Sequence, residues 1–231
     1  MEMIRAGFLE ALRLLFALDP AVMEVVRLSL LVSGAATFLS LLLGIPLGSV
    51  LALSDFPGRK LLFSLVNTGM GLPPVVVGLI VSVLLWRSGP LGFIHLLYTP
   101  SAMVIAQVAI AFPIVAGLTA AALGALPPQL KLQLEALGAD RFQVVLLLLR
   151  EARLPLLAAV MAGFGGVISE VGASMMVGGN ILGQTRVLTT ATVMETSKGN
   201  FEAAIALGLI LLLLSFSVNL ALTLIQQKKR I

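Results

Sequence analysis

Few side chains in this sequence could do chemistry, and they lie far apart. Glu170 is an acid inside the apolar stretch "AGFGGVISEVG", where a carboxylate is costly unless it faces the interior of a bundle or is paired. Two roles are open to it: capping or hydrogen bonding where a helix breaks near "GGN", or contact with a transported species. Arg186 stands among the hydroxyls of Thr185, Thr189 and Thr190 in a long polar segment, and Asn67 and Thr68 precede Pro73 and Pro74 in another apolar run. His95 is the one histidine, in an outer loop, and needs no function. The chain has no cysteine, which rules out a disulfide framework or a thiolate metal site. No catalytic triad or cluster of metal ligands is visible, and no G-x-x-x-x-G-K-[ST] stretch exists to cradle nucleotide phosphates. The expectation is a protein without cofactor, metal or enzymatic activity of its own.

The elements that must carry these residues are apolar helices. Of 231 residues, 59% are hydrophobic and 11% charged, with a mean hydropathy of +1.09; a soluble domain carries roughly a quarter charged residues. This composition belongs to an integral membrane protein. The net charge of +4 is spread along the chain, which fits membrane orientation and not nucleic-acid binding. Five runs are long enough to cross a bilayer, which takes roughly 20 helical residues: Leu28 to Leu53, Leu61 to Trp86, Ser101 to Leu126, Leu154 to about Gly178, and Ala203 to Ile225. They are too long and continuous for barrel strands, so helices are the spanning elements. "SDFPGRK" makes a turn between the first two.

Residues 1–21 form a separate N-terminal unit. In "MIRAGFLEALRLLFAL", Arg5, Glu10 and Arg13 share one helical face, with Ile4, Phe8, Leu12, Leu15 and Phe16 largely opposite. That pattern suits an amphipathic helix lying in the membrane interface or one packed on the surface of the bundle. Glu2, Glu10 and Arg13 argue against a cleaved signal peptide.

Residues 22–231 make the polytopic domain. Basic residues near the span ends set its orientation. Arg59 and Lys60, Lys131 and Arg141, and Lys228, Lys229 and Arg230 fall on one side, joined by Arg150 and Arg153. Arg5, Arg13, Arg27, Arg87, Arg186 and Lys198 fall on the other. The expectation is a cytoplasmic C-terminus and an outer N-terminus. "GIPLG", "GMGLPPVVVG", Pro113 and "AGFGGVISEVG" place many small residues and prolines inside the spans, which allows close helix contacts and breaks. The pattern favours a bundle that rearranges, although each instance alone is ordinary packing.

The passage "LQLEALGADRFQVVLLLLREARLP", Leu132 to Pro155, interrupts the apolar runs. Pro128 suits a first helical position and Gly138 a C-terminal cap. Asp140 caps the next helix, with Gln143 placed to return the bond, and Lys131 and Glu135 form an i, i+4 pair. The second helix is expected to run on from Arg141 into the fourth span, kinked at Pro155. The loop of about 127–143 is thus a helix pair standing off the membrane.

Glu135-Ala136-Leu137-Gly138-Ala139, followed by Leu154-Pro155, resembles the EAA loop that couples ABC-type importer permeases to their ATPase; aligned on Gly138, Leu132 takes the motif's first position. "ISEVGASMMVGGNILGQTRVLTTATVMETSKGNF", Ile168 to Phe201, is similar to the corresponding region of the molybdate, sulfate and tungstate branch of these permeases, and "SEVGASMMVGGNI" is nearest to its tungstate group. The resemblance implies an all-α membrane protein with the type I ABC importer permease fold, in the plasma membrane of a prokaryote. It implies a homodimeric pathway for an oxyanion, with tungstate first and molybdate or sulfate as alternatives. Two copies of an ATPase subunit and an extracytoplasmic oxyanion-binding protein are the implied partners, beside membrane lipid.

On that resemblance, Leu132, Glu135, Ala136, Leu137, Gly138, Asp140, Arg141 and Phe142 are the ATPase-coupling residues, with Leu137 and Phe142 inserting and Glu135 and Arg141 at the rim. Asn67, Thr68, Pro73, Pro74, Ser169 and Glu170 are candidates for the pathway or its gate, against a packing role for any one of them. Thr185, Arg186, Thr189 and Thr190 would receive a released anion or touch the binding protein, or else form a loop lid without ligand contact. A bare carboxylate at Glu170 is a poor ligand for a dianion. The competing class is an ion-coupled carrier that uses Glu170 and Arg186 without an ATPase.

Overall fold

A computed structural model describes residues 2–228. Lys229 and Arg230 of the C-terminal basic cluster, and the side chain of Lys228, lie outside what is described. The described residues form α1 (Glu2–Phe16), α2 (Pro20–Leu53), α3 (Arg59–Met70), α4 (Pro74–Leu85), a 3₁₀ turn (Gly92–Ile94), α5 (Pro100–Gly124), α6 (Pro128–Ala136), α7 (Arg141–Glu151), α8 (Arg153–Ile168), α9 (Gly172–Gly178), α10 (Leu188–Ser197) and α11 (Phe201–Lys228). No strand occurs among them.

Capping sets the starts of the long helices. The Asp19 carboxylate accepts hydrogen bonds from the N–H groups of Ala21 at 3.0 Å and Val22 at 3.1 Å, and Pro20 takes the first helical position. This fills two of the four amide groups a helix start leaves without partners. Thr99 and Pro100 begin α5 in the same way, with Ala102 N–H donating to Thr99 Oγ1 at 3.4 Å.

α2 and α5 are the central pair, and the small residues of "GIPLG" are what let them meet. A Cβ on Gly44 would stand 2.8 Å from Val115 Cγ1, and one on Gly48 would stand 2.6 Å from Thr119 Cβ. Without side chains there, the backbones close up as small-residue helix pairs in membranes do. α3, α4, α8 and α9 pack around α5, and α1 and α10 pack on α11. α1 buries Ala11, and its Leu14 and Leu15 lie against the cluster of Val25, Leu188, Leu207 and Ile210.

Among the described residues, three helices are individually long and apolar enough to span a bilayer: α2, α5 and α11. The second and fourth expected spans are each a broken pair. α3 and α4 meet at 104°, and α8 and α9 at 57°. Pro73 and Pro74 account for the first break, since neither can donate to the helical ladder. The second falls at Ser169–Val171, several residues before the "GGN" where the sequence reading placed it.

The projecting helix is also interrupted. α7 ends at Glu151, Ala152 leaves helical geometry, and α8 begins at Arg153. Pro155 has no N–H to give the carbonyl four residues earlier, that of Glu151. The kink expected at Pro155 is therefore a one-residue break just before it, and α7 and α8 are separate helices.

Candidate functional site

The α6–α7 tip is built by local rules. Gly138 sits at φ +83°, in the left-handed region that glycine enters without cost. There its N–H donates to Glu135 O at 3.0 Å, and Ala139 N–H reaches back to Leu134 O at 3.1 Å, the bond pattern of a glycine-terminated helix. Two residues on, Asp140 starts α7 with a reciprocal cap: Gln143 N–H donates to Asp140 Oδ1 and Asp140 N–H to Gln143 Oε1, both at 2.9 Å. These paired turns aim apolar side chains outward. Leu132, Leu137 and Phe142 are 63%, 84% and 76% exposed, with Glu135, Ala136, Asp140 and Arg141 exposed among them. The inner face holds the tip to the bundle: Leu130, Leu134 and Ala139 pack on Ala122, Leu123, Val144, Leu148 and Ala152.

Lys131 and Glu135 form no ion pair. Among the described residues the ion pairs are Arg13–Glu10, Arg59–Asp55 and Lys198–Glu195. The Lys131 ammonium instead donates to Leu53 O, the last carbonyl of α2, at 3.2 Å. Arg59 takes another carbonyl of the same helix end, its Nε donating to Leu51 O at 2.8 Å while Nη1 meets Asp55 Oδ1 at 2.9 Å. A helix C-terminus presents unpaired carbonyls and partial negative charge. That makes it a better partner for Lys131 than a solvated glutamate one turn away. A cleft of about 420 Å³ lies between this end of α2, the end of α5 and α6, lined in part by Asp55, Arg59, Lys131 and Glu135.

The pathway candidates lie at the two helix breaks, Asn67, Thr68, Pro73 and Pro74 at that between α3 and α4, and Ser169 and Glu170 at that between α8 and α9. Asn67, Thr68 and Pro73 are exposed and Pro74 half-buried, and the Thr68 hydroxyl donates to Ser64 O. Ser169 is exposed and its hydroxyl donates to Gly165 O at 2.7 Å. The Glu170 carboxylate, half-buried, accepts from Ala173 N–H at 2.8 Å at the start of α9. α4 and α9 then pack against each other at backbone distance, for a Cβ on Gly78 would stand 2.6 Å from Ala173 Cα.

In the polar segment at the opposite end, Thr185, Thr189 and Thr190 are buried and their hydroxyls are occupied. Thr185 donates to Gly178 O and accepts from Ile181 N–H, Thr189 donates to Glu170 O, and Thr190 exchanges bonds with the Val187 backbone. Arg186 is half-buried and donates to the side chain and backbone oxygens of Asn180, both at 3.3 Å. Glu195 accepts from Lys198 at 2.8 Å and from Asn200 at 3.0 Å. The Lys198 bond, ahead of the others, holds its carboxyl below the ordinary value.

Three polar residues important to this arrangement went unread in the sequence. Ser29 accepts the otherwise free N–H of Leu188 at 2.8 Å and so pins α10 to α2. Gln107 on α5 is buried and donates to buried Ser174 on α9 at 3.3 Å. Polar side chains inside apolar runs were the available signal; their partners, 159 and 67 residues away, were not.

The family described as binding-protein-dependent transport system inner membrane component matches residues 44–231. The tungstate uptake system permease protein TupB of Peptoclostridium acidaminophilum is 42% identical over 99% of this chain and 100% of its own length. A probable anion ABC transporter permease protein of Haloferax volcanii is 43% identical over 85% of this chain and 87% of its own. The molybdenum transport system permease protein ModB of Escherichia coli K12 is 32% identical over 83% and 91%. Among solved structures, an inward-facing MetNI methionine ABC transporter superposes with a TM-score of 0.74 at 20% identity, covering 94% of this chain and 97% of that one; it shows the type I importer permease fold. This chain belongs to the binding-protein-dependent transport system inner membrane component family, as a multi-pass ABC importer permease of a prokaryotic plasma membrane and not an enzyme.

Proposed function

We propose that this chain is the pathway-forming subunit of an ATP-driven tungstate importer, with molybdate as the nearest alternative cargo and sulfate a further one. It works as a homodimer with two copies of an ATPase subunit and an extracytoplasmic oxyanion-binding protein. The full-length similarity to a protein named for tungstate uptake supports the cargo, together with the sequence from Ile168 to Phe201.

The observation that carries the coupling is the α6–α7 tip. Leu132, Leu137 and Phe142 project from two short, well-capped helices whose other faces are packed. Exposed apolar anchors on a rigid support, rimmed by Glu135 and Arg141, are the usual makings of a protein contact. By the basic residues near the span ends, this tip faces the cytoplasm. Five crossings make a thin wall for a passage, and a two-fold pair gives a closed assembly around one axis. Exposed Asn67, Thr68 and Ser169 at the breaks are costly against lipid and suit such a passage. ATP-driven transport through a permease of this family leaves no part for an ion-coupled carrier cycle.

Purification in mild detergent from the native host tests the reading. The chain is expected to bring down an ATPase in one-to-one ratio and, in proteoliposomes with the binding protein, to take up tungstate with molybdate as competitor. Leu137→Asp with Phe142→Asp should abolish ATPase capture while membrane insertion survives. An intact wild-type chain that captures no ATPase would sink the coupling assignment; preferential uptake of molybdate or sulfate would reassign the cargo.

A further inference from the structure

We propose that Lys131 is a positioning residue of the coupling step: it ties α6 to the C-terminal end of α2, so that α6 and α2 move together. This rests on the reading of the α6–α7 tip as the ATPase contact.

Three observations carry it. The Lys131–Leu53 bond is the one side-chain hydrogen bond from α6 to another element among the described residues, and it joins positions 78 apart. The rest of the side-chain attachment of α6 is apolar, through Leu130 and Leu134, and apolar burial sets no direction. A charged donor on the terminal carbonyl of a helix is directional and favoured by the partial negative charge there.

The second observation is that the α2 end is prepared for this load. Arg59, itself braced by Asp55, holds Leu51 O two residues earlier, so the α2–α3 turn is closed independently of Lys131. Glu135, the residue placed to compete for the ammonium, lines the same cleft and makes no ion pair among the described residues.

The third is what lies beyond. At Gly44 and Gly48 α2 has no side chain of its own, and its backbone rests directly on Val115 and Thr119 of α5, so a push on the end of α2 is passed to α5 without slack. Through Pro113 and Gln107, α5 touches both broken pairs: Pro113 lies against Gly69 of α3, and Gln107 bonds Ser174 of α9. Motion of the tip thus has a route to the breaks that bypasses the α7–α8 interruption at Ala152. Lys131 is the first link of that route.

The test uses the complete complex of permease, ATPase and binding protein in proteoliposomes. In Lys131→Met, the ATPase is expected to stay bound and its basal hydrolysis to stay at the wild-type level. Stimulation by loaded binding protein, and tungstate uptake with it, should fall roughly tenfold, the loss expected of one charge-assisted hydrogen bond. Lys131→Arg should restore most of both. Wild-type stimulation and uptake in Lys131→Met would overturn the proposal. So would loss of the ATPase itself, which would make Lys131 a docking residue.

A second measurement does not depend on that variant folding. The chain has no cysteine, so Ser54→Cys with Gln129→Cys, both exposed positions, accepts a spin-label pair with Lys131 in place. The distance between labels should hold constant between nucleotide-free and ATP-trapped states. A shift on the order of one helical turn, about 5.4 Å, would show α6 leaving α2 and end the proposal. Failure of the wild-type chain to hold an ATPase would instead strike the coupling assignment itself.

Discussion

A Cβ added at Gly138 would meet nothing within 4 Å, although the residue sits at φ +83°. Within the protomer, then, the cost of a substitution is confined to the backbone, about 1–2 kcal/mol for a residue that resists the left-handed region. Asn tolerates that region and Val does not. Gly138→Asn should therefore keep the turn and ATPase capture, Gly138→Val should weaken capture, and Gly138→Trp should abolish it by bulk that only a partner can feel. Co-purification of the ATPase, with protein yield in the membrane as control, reads all three. Equal capture by Asn, Val and Trp variants would mean that no partner approaches this turn. Local chemistry of this kind was legible in the sequence. Gly138 as a cap and the Asp140–Gln143 exchange are set by residues within one turn of each other. Lys131 was misread for the opposite reason: its partner is a backbone carbonyl 78 residues away, and no spacing rule points to it.

Close backbone approach decides which helices can slide and which cannot. α4 and α9 touch where Gly78 faces Ala173, leaving no room for a side chain, whereas Gly34 on α2 faces open space. Gly78→Val should overpack the α4–α9 contact at a cost of about 1–3 kcal/mol and lower the melting temperature of the detergent-solubilised protein; Gly34→Val should leave it near the wild-type value. A Gly78→Val protein as stable as wild type would mean that α4 and α9 separate readily. The prolines at 73 and 74 made the first break readable, but the 104° turn is imposed by packing on α5 and α9. The second break contains no proline. Its signals were Gly172 and the capping acid Glu170, and the glycine-rich "GGN" farther along drew the expectation away from them. After α10, Gly199 turns the chain at φ +77° toward α11.

Among the described residues the crossings number five if each broken pair counts as one, which predicts that the two ends of this bundle lie on opposite sides of the membrane. Which side is which follows from charge. Arg59, Lys60, Lys131, Arg141, Arg150 and Arg153 gather at the α6–α7 end, and basic residues are retained in the cytoplasm. At the other end, Trp86, Phe93 and Tyr98 are exposed beside Arg87 and His95, as aromatic residues at a membrane–water boundary are. A chain without cysteine gives a clean background on which to test this. Leu137→Cys and Phe93→Cys are 84% and 73% exposed before substitution, so each thiol should react freely from its own side. In intact cells stripped of any outer barrier, a membrane-impermeant maleimide should label the cysteine at position 93 at once. The one at 137 should react only after permeabilisation, and more slowly when the ATPase is bound. The reverse order would invert the molecule, leaving the α6–α7 tip on the side without ATP. Because the apolar knob would then face the binding protein instead of an ATPase, this labelling order bears on the coupling assignment as directly as the capture of the partner does.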